Sequence, residues 1–195
     1  MAEVYLRRLS RWQAEQQRDA VADVYVSAYR SAAGAEHRDR QGFLTRLEQH
    51  VQHTGFDMVV ADTAGTVGCA YGFQVPRTGE WWSRFQGELP ADVEELTASG
   101  RTFLLAELMV LPAHRRQGVA TRLVERLLIR LEANLIVAAT SAATGRSGDA
   151  EDGGDSGPRS AAAETFRAWG WSRSGVSTDG PGQVPQEVWL RRPQR

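Results

Sequence analysis

The segment from Phe103 to Leu131 constrains this chain most: an apolar run interrupted by one carboxylate, Glu107, then Pro112, then Arg115-Arg116-Gln117-Gly118-Val119-Ala120, then a long amphipathic pattern. That order specifies strand, turn and helix. Ala120, Leu123, Val124, Leu127, Leu128 and Leu131 recur at three and four residues and form one apolar stripe, with Arg122, Glu125, Arg126 and Arg130 outside it. The helix is therefore expected to lie on a sheet with its first turn free. Gly118 has no side chain and Ala120 nearly none, so a ligand can approach the backbone where the helix opens. The first amides of a helix lack partners inside it and the macrodipole adds positive charge there, which makes a phosphate the natural occupant. Arg115 and Arg116 add full charges at the rim of that turn.

No lysine occurs in the chain, which excludes the lysine-dependent P-loop, and a dinucleotide fingerprint needs spaced glycines of which only Gly118 is present. The pattern Val110-x-Pro112-x-x-Arg115-Arg116-x-Gly118-x-Ala120 resembles the acetyl-CoA signature of the GNAT superfamily of N-acetyltransferases, Arg/Gln-x-x-Gly-x-Gly/Ala after a strand ending in Val. Ala162-x-x-x-Phe166-x-x-x-Gly170-Trp171 resembles a second segment of that family, Ala-x-x-x-Tyr-x-x-x-Gly-Phe. Elsewhere the resemblance lies only in the order of elements. It implies an α/β fold of the α+β, mixed-sheet kind, with about six or seven strands flanked by about four helices.

The rest of the chain fits that order. Glu3 to Leu9 alternates as a first strand, Gln13 to Tyr29 has helical spacing, Ser31 to Ala35 reads as a break, and Arg38 to His53 reads as a second helix. Phe56 to Ala61 and Thr66 to Val75 are strands around a tight turn at Asp62-Thr63-Ala64-Gly65. Pro76 to Arg101 is a long connection carrying Trp81-Trp82, which reads either as an apolar wall for a substrate or as an anchor for the excursion. Leu135 to Ala139 is a short buried strand, and 140–160 is poor in large apolar groups and reads as a flexible loop. Ala161 to Trp169 is a helix stopped by Gly170; Ser172 to Ser177 and Glu187 to Arg192 close the sheet across a Gly/Pro-rich turn, Asp179 to Pro185.

A length of 195 residues suits one domain, 1–195, and the net charge of -1 offers no general attraction to nucleic acid or to an anionic membrane. Cys69 is the only cysteine, so no internal disulfide forms. His50 and His53 stand three apart at a helix end; with no third ligand in view they read as exposed cations, and no metal is expected. No apolar stretch has the length of a signal peptide or a membrane span, which places the protein in the cytoplasm.

The resemblance implies direct transfer of an acetyl group from acetyl-CoA, as co-substrate, to a primary amine of a small molecule or peptide in a ternary complex. Met109, Val110, Arg115, Arg116, Gln117, Gly118, Val119, Ala120 and Thr121 are the expected cofactor-binding residues, through backbone amides on the pyrophosphate and strand-end groups along the pantetheine arm. An amide near Met109 or Val110 would stabilise the developing oxyanion. Glu107 is the candidate general base, because a carboxylate in an apolar strand either finds a partner or faces a cleft that raises its pKa. Tyr29, Phe73, Trp81 and Trp82 are expected pocket walls. Phe166 departs from the family pattern, for it stands where a tyrosine often protonates the leaving sulfur. A non-catalytic acyl-CoA-binding or regulatory module is thus the alternative. Acetyl-CoA and an amine are the expected partners, with a homodimer allowed.

Overall fold

A computed structural model describes residues 3–29, 39–141, 161–178 and 185–193. Among them, eight strands form one sheet in the order β1-β2-β3-β5-β6-β8-β7-β4. These are β1 (Tyr5–Leu9), β2 (Asp57–Asp62), β3 (Thr66–Gln74), β4 (Phe85–Gly87), β5 (Thr102–Val110), β6 (Leu135–Ser141), β7 (Ser172–Ser177) and β8 (Gln186–Arg191). The helices are α1 (Arg11–Gln16), α2 (Arg18–Ala28), α3 (Arg40–Val51), α4 (Val93–Ala98), α5 (Val119–Leu128) and α6 (Ala161–Ala168). Only β5 and β6 pair in parallel; every other neighbouring pair is antiparallel. A parallel pair needs a crossover, and α5 supplies it.

The mixed sheet is as expected, with one strand and two helices beyond the expected numbers. The single helix expected over Gln13–Tyr29 breaks at Gln17, which caps α1 and opens α2, while Ser10 and Gln13 form a capping box that starts α1. The remaining additions lie in the Pro76–Arg101 connection, which holds a 3-10 turn (Glu80–Arg84), β4 and α4. Its length has a geometric cause. The chain leaves β3, reaches the far edge where β4 pairs β7, and returns to β5, so it must cross β5, β6, β8 and β7 at roughly 4.8 Å per strand. Residues 142–160, expected as a flexible loop, lie outside the described residues, but Thr140 and Ser141 belong to β6. The expected break at 31–35 and most of the turn at 179–185 also lie outside them.

Apolar layers cover both faces of the sheet. On one, Val119, Leu123, Val124 and Leu127 of α5 pack with Phe103, Leu105, Ile136, Phe166, Trp171 and Trp189. On the other, α1 to α3 bury Ala14, Val21, Val24, Tyr25, Phe43 and Leu47 against Met58, Val60, Cys69, Tyr71 and Met109. A third cluster on this second face joins Phe73, Leu104, Leu135, Val137 and Val188 with the Trp81–Trp82 excursion. Each fully buried leucine contributes about 2 kcal/mol, so α5 is pinned along its length by its stripe. Its C-terminal end is also tied to β1 by Arg8, which donates to the carbonyls of Arg126 and Leu127.

The β3–β5 register shifts between Tyr71 and Gly72: Tyr71 faces Glu107 whereas Gly72 faces Leu105, which makes Ala106 an extra residue. Leu105 and Leu108 both pack on the α5 face, so the bulge turns Ala106 and Glu107 together toward the opposite face. A Cβ at Gly72 would meet the Leu104 carbonyl oxygen and the Phe103 ring. Gly72→Ala is therefore expected to destabilise the protein by about 2–3 kcal/mol through overpacking, read as a lower urea midpoint at unchanged m-value.

Candidate active site

β5 and β6 pair only from Thr102–Leu105 on β5 and Leu135–Ala138 on β6. Beyond Leu105 the two strands part, and β5 passes from fully buried residues to the half-buried Ala106, Glu107 and Leu108. The backbone of β5 from Ala106 to Val110 then has a β3 partner on one side and, among the described residues, no strand partner on the other. Leu111 donates its N–H to Val67 O at 2.8 Å. Strand alternation accordingly turns the N–H and C=O groups of Met109 and Glu107 toward β3, and those of Leu108 and Val110 toward the gap. Of the two expected strand-end residues, Val110 thus turns its main-chain groups to the gap, as Leu108 does, and Met109 turns its own to β3, because an antiparallel neighbour takes every second residue of a strand.

The chain then enters the turn that opens α5. Arg116 has φ 58° and Gly118 φ 73°, both in the left-handed region. For arginine that conformation costs about 1–2 kcal/mol, strain of the kind found where a loop is held for function. A Cβ at Gly118 would meet nothing within 4 Å, so this turn is open to the outside. The first backbone bond of the helix is Arg122 N–H to Gly118 O at 3.0 Å, which leaves the amides before it without a partner inside the helix.

The side chains of the turn divide their tasks. Arg115 donates to Val110 O at 3.1 Å and to Ala28 O at 2.5 Å, so its charge holds the loop against the ends of β5 and α2 instead of standing free at the rim. Gln117 donates to Ala113 O at 3.0 Å, and Thr121 Oγ1 accepts from Trp169 Nε1 at 3.2 Å. Arg116 is exposed, Val119 buried and Ala120 half-buried. What this group offers a ligand is mainly main chain and two exposed guanidinium groups, of which that of Arg115 is already engaged with carbonyls.

Glu107 faces α2 and α3. Tyr29 donates its hydroxyl to Glu107 Oε1 at 2.8 Å, and Arg46 Nη2 lies 3.8 Å from Oε2. Burial raises the Glu107 carboxyl above its ordinary value, against the opposing pull of the Tyr29 hydrogen bond and the Arg46 charge. Burial and the Glu107 charge push the Tyr29 and Tyr71 phenols well up, so both stay protonated. Tyr71, directly across the ladder from Glu107, has its hydroxyl 3.2 Å from His50 Nδ1. Sequence reading missed Arg46 and Tyr71 and took His50 for an exposed cation; the alternation of β3 and the helical spacing of α3 would have placed all three on the Glu107 face, had the bulge been legible.

His50 and His53 are half-buried, not exposed cations: His53 stacks on Phe73 at 4.3 Å, and His50 lies 4.8 Å from the same ring. Burial, then Arg46 and His53, push the His50 ring down from 6.5 to about 4. The unfolded chain takes up a proton near 6.5 that the folded chain refuses until about pH 4, so His50 makes stability fall as pH drops through that window. Glu107 acts in the opposite sense, its raised carboxyl adding stability that is lost as pH rises. His50→Gln is expected to flatten the acid-side fall of the urea midpoint between pH 7 and pH 4.5.

The expected pocket walls fall into two groups. Tyr29 joins the α2–α3 cluster beside Glu107, whereas Phe73, Trp81 and Trp82 belong to the cluster under the excursion. Trp81 and Trp82 meet edge to face at 4.6 Å, and Trp82 donates to Thr97 Oγ1 at 3.0 Å, contacts that fasten the excursion. Ala106 borders both clusters, so the bulge is where they meet. Phe166 is buried on the α5 face, stacked on Trp189 at 5.8 Å and edge-on to Trp171 at 5.0 Å. Among the described residues no group of three or more His, Cys, Asp or Glu side chains is placed to hold a metal ion, and no helix is long and apolar enough to cross a membrane.

No curated protein matches the chain. The fold is similar to an acetyltransferase from Thermus thermophilus, with a TM-score of 0.62 at 13% identity over 99% of this chain and 100% of the other. A histone acetyltransferase HPA2 and related acetyltransferase from Corynebacterium glutamicum gives 0.61 at 15% identity over 100% and 98%. Ard1 from Thermoplasma volcanium gives 0.60 at 12% over 98% and 99%. At such identities the likeness speaks for the fold alone. Residues 18–145, which run from α2 through the parted strands and the α5 turn, match the model of the Acetyltransferase (GNAT) family. That span contains both the gap at β5 and the turn of Gly118, and on it rests the assignment: the chain belongs to the GNAT family of acetyltransferases.

Proposed function

We propose that the protein transfers an acetyl group from acetyl-CoA to a primary amine of a small molecule or peptide, by direct attack in a ternary complex, with Glu107 as general base. The observation that carries this reading is a coincidence of place. A raised carboxyl sits where β5 leaves β6, a few residues before a strained turn whose amides lack intrahelical partners.

Bound acetyl-CoA supplies an acyl group activated as a thioester. Holding it falls to the backbone amides from Arg116 to Thr121, with Arg116 as the cation within reach of phosphate. Leu108 and the Val110 N–H offer main-chain groups along the gap, by which an extended arm can add as a strand. One of those N–H groups is the donor available to an acyl oxygen gaining charge, and a preorganised donor there contributes strongly. Glu107 receives the amine's proton, directly or through one water, while Tyr29 fixes its Oε1. The acceptor approaches over Ala106, bordered by Tyr29 on one side and the cluster of Phe73, Trp81 and Trp82 on the other. Cys69 is single and buried, which fits a reducing, cytoplasmic setting.

Phe166 favours the second reading, a binding module without turnover, because it offers no proton to a leaving sulfur. A thiol pKa of about 8.5 makes thiolate a tolerable leaving group without an acid, so the enzyme reading stands. The two separate in one assay. Thiol release from acetyl-CoA is expected with at least one amine of a broad panel; tight CoA binding with no release across the panel would establish the module instead.

A further inference from the structure

The acceptor side of the site holds a cation that neither cofactor binding nor proton removal requires. Arg46, on α3, lies 5.5 Å from the ring centre of Tyr25 and 5.4 Å from that of Phe43. These two rings are stacked on each other at 4.4 Å, and the guanidinium is held beside the pair by both. Its Nη2 stops 3.8 Å short of Glu107 Oε2, beyond hydrogen-bond distance, and the Arg46 side chain keeps 41% of its surface exposed against 13% for Glu107. A guanidinium carries five donors in a planar fork, and among the described residues Tyr25 is its hydrogen-bond partner, which leaves donors for a ligand on the exposed side.

We infer that the acceptor is a free amino acid, its amine facing Glu107 and its carboxylate held by the Arg46 fork. The inference rests on the acetyl-transfer reading above and narrows it. A negative and a positive group 3.8 Å apart complement a molecule whose own ammonium and carboxylate are one or two carbons apart. A lysine inside a protein chain carries no carboxylate at that separation. The cation has a second effect: a guanidinium beside the bound amine disfavours its ammonium form, which moves the proton toward Glu107. In the transfer, a bond forms between the amine nitrogen and the acyl carbon and the carbon–sulfur bond breaks with its electron pair left on sulfur. The proton passes from nitrogen to Glu107 and on to water or the thiolate. No oxidant or reductant enters.

The test compares thiol release from acetyl-CoA for aliphatic, aromatic, acidic and basic amino acids, for their carboxamides, for the corresponding decarboxylated amines and for aminophosphonates. Free acids are expected to exceed carboxamides by about tenfold to a hundredfold in kcat/KM, the value of a hydrogen-bonded charge. Arg46→Met, which keeps an apolar stem over the rings, should bring that ratio toward one through the KM of the acid. Arg46→Lys should fall between, since lysine keeps the charge without the fork. Carboxamides as good as acids, an unchanged ratio in Arg46→Met, or a preference for phosphonates would each overturn the assignment. If no amine releases thiol, acetyl transfer itself fails, and the anion site is read by calorimetry on CoA-loaded protein with leucine and leucinamide. Binding of the acid alone, lost in Arg46→Met, would uphold the carboxylate site; equal binding of both would refute it.

Discussion

Gly118→Glu is expected to weaken CoA binding at least about a hundredfold, about 2.8 kcal/mol at 1.4 kcal/mol per decade, while the protein stays folded. Two costs contribute. The left-handed φ of 73° imposes on any side chain about 1–2 kcal/mol of backbone strain, which lowers stability modestly. The new carboxylate also faces the diphosphate, and each close pair of like charges near a protein surface costs on the order of 1–4 kcal/mol. Steric damage is not part of the account, because a Cβ at this position meets nothing within 4 Å. Gly118→Ala separates the two costs: it shares the strain and lacks the charge, so its affinity should fall much less. Titration calorimetry with CoA reads both variants, and thermal melting confirms that each is folded.

Glu107→Gln carries the second large effect. General base catalysis contributes about 10²–10⁴-fold, so kcat should fall by at least a hundredfold. Affinity for CoA should hold, because the groups proposed to bind it, main-chain atoms and the Arg116 cation, lie beyond the bulge and do not include the Glu107 side chain. Stability supplies an independent check. Burial raises the Glu107 carboxyl, so the folded protein above that pKa bears the cost of a desolvated charge that a neutral amide avoids. Gln also leaves the Tyr29 hydroxyl an acceptor at the same position. The melting temperature of Glu107→Gln at neutral pH should therefore equal or exceed that of the natural protein. A catalytic loss together with undiminished stability marks a group kept for chemistry, whereas loss of both would mark a structural ion pair.

The parts of this molecule written locally were legible in the sequence. The strand–turn–helix unit of β5 and α5 follows from periodicity, and the Gly118 turn from a glycine placed ahead of an apolar stripe. The parts fixed by tertiary pairing were not. β4 is three residues long and exists because β7 offers an edge to Phe85–Gly87, so no alternation in its own sequence announces it. The Ala106 bulge is equally silent. Leu105, Ala106 and Glu107 read as ordinary alternation, yet the extra residue puts Glu107 on the helix face and brings Arg46 and Tyr29 to it from 61 and 78 residues away. His50 and His53 misled because their spacing suggested a charged helix end; the aromatic surroundings that keep them partly buried come from β3, a separate segment. The role of Arg115 was hidden for a similar reason, since its partner at Ala28 lies 87 residues distant.

The pH dependence of kcat/KM for thiol release, in the natural protein and in Glu107→Gln side by side, bears most directly on the claim that this buried carboxylate takes the proton. The natural protein should lose activity as pH falls through a carboxyl pKa raised above 4.5, and the variant should lack that acidic limb along with most of its rate. A variant that kept both the rate and the limb would contradict the account.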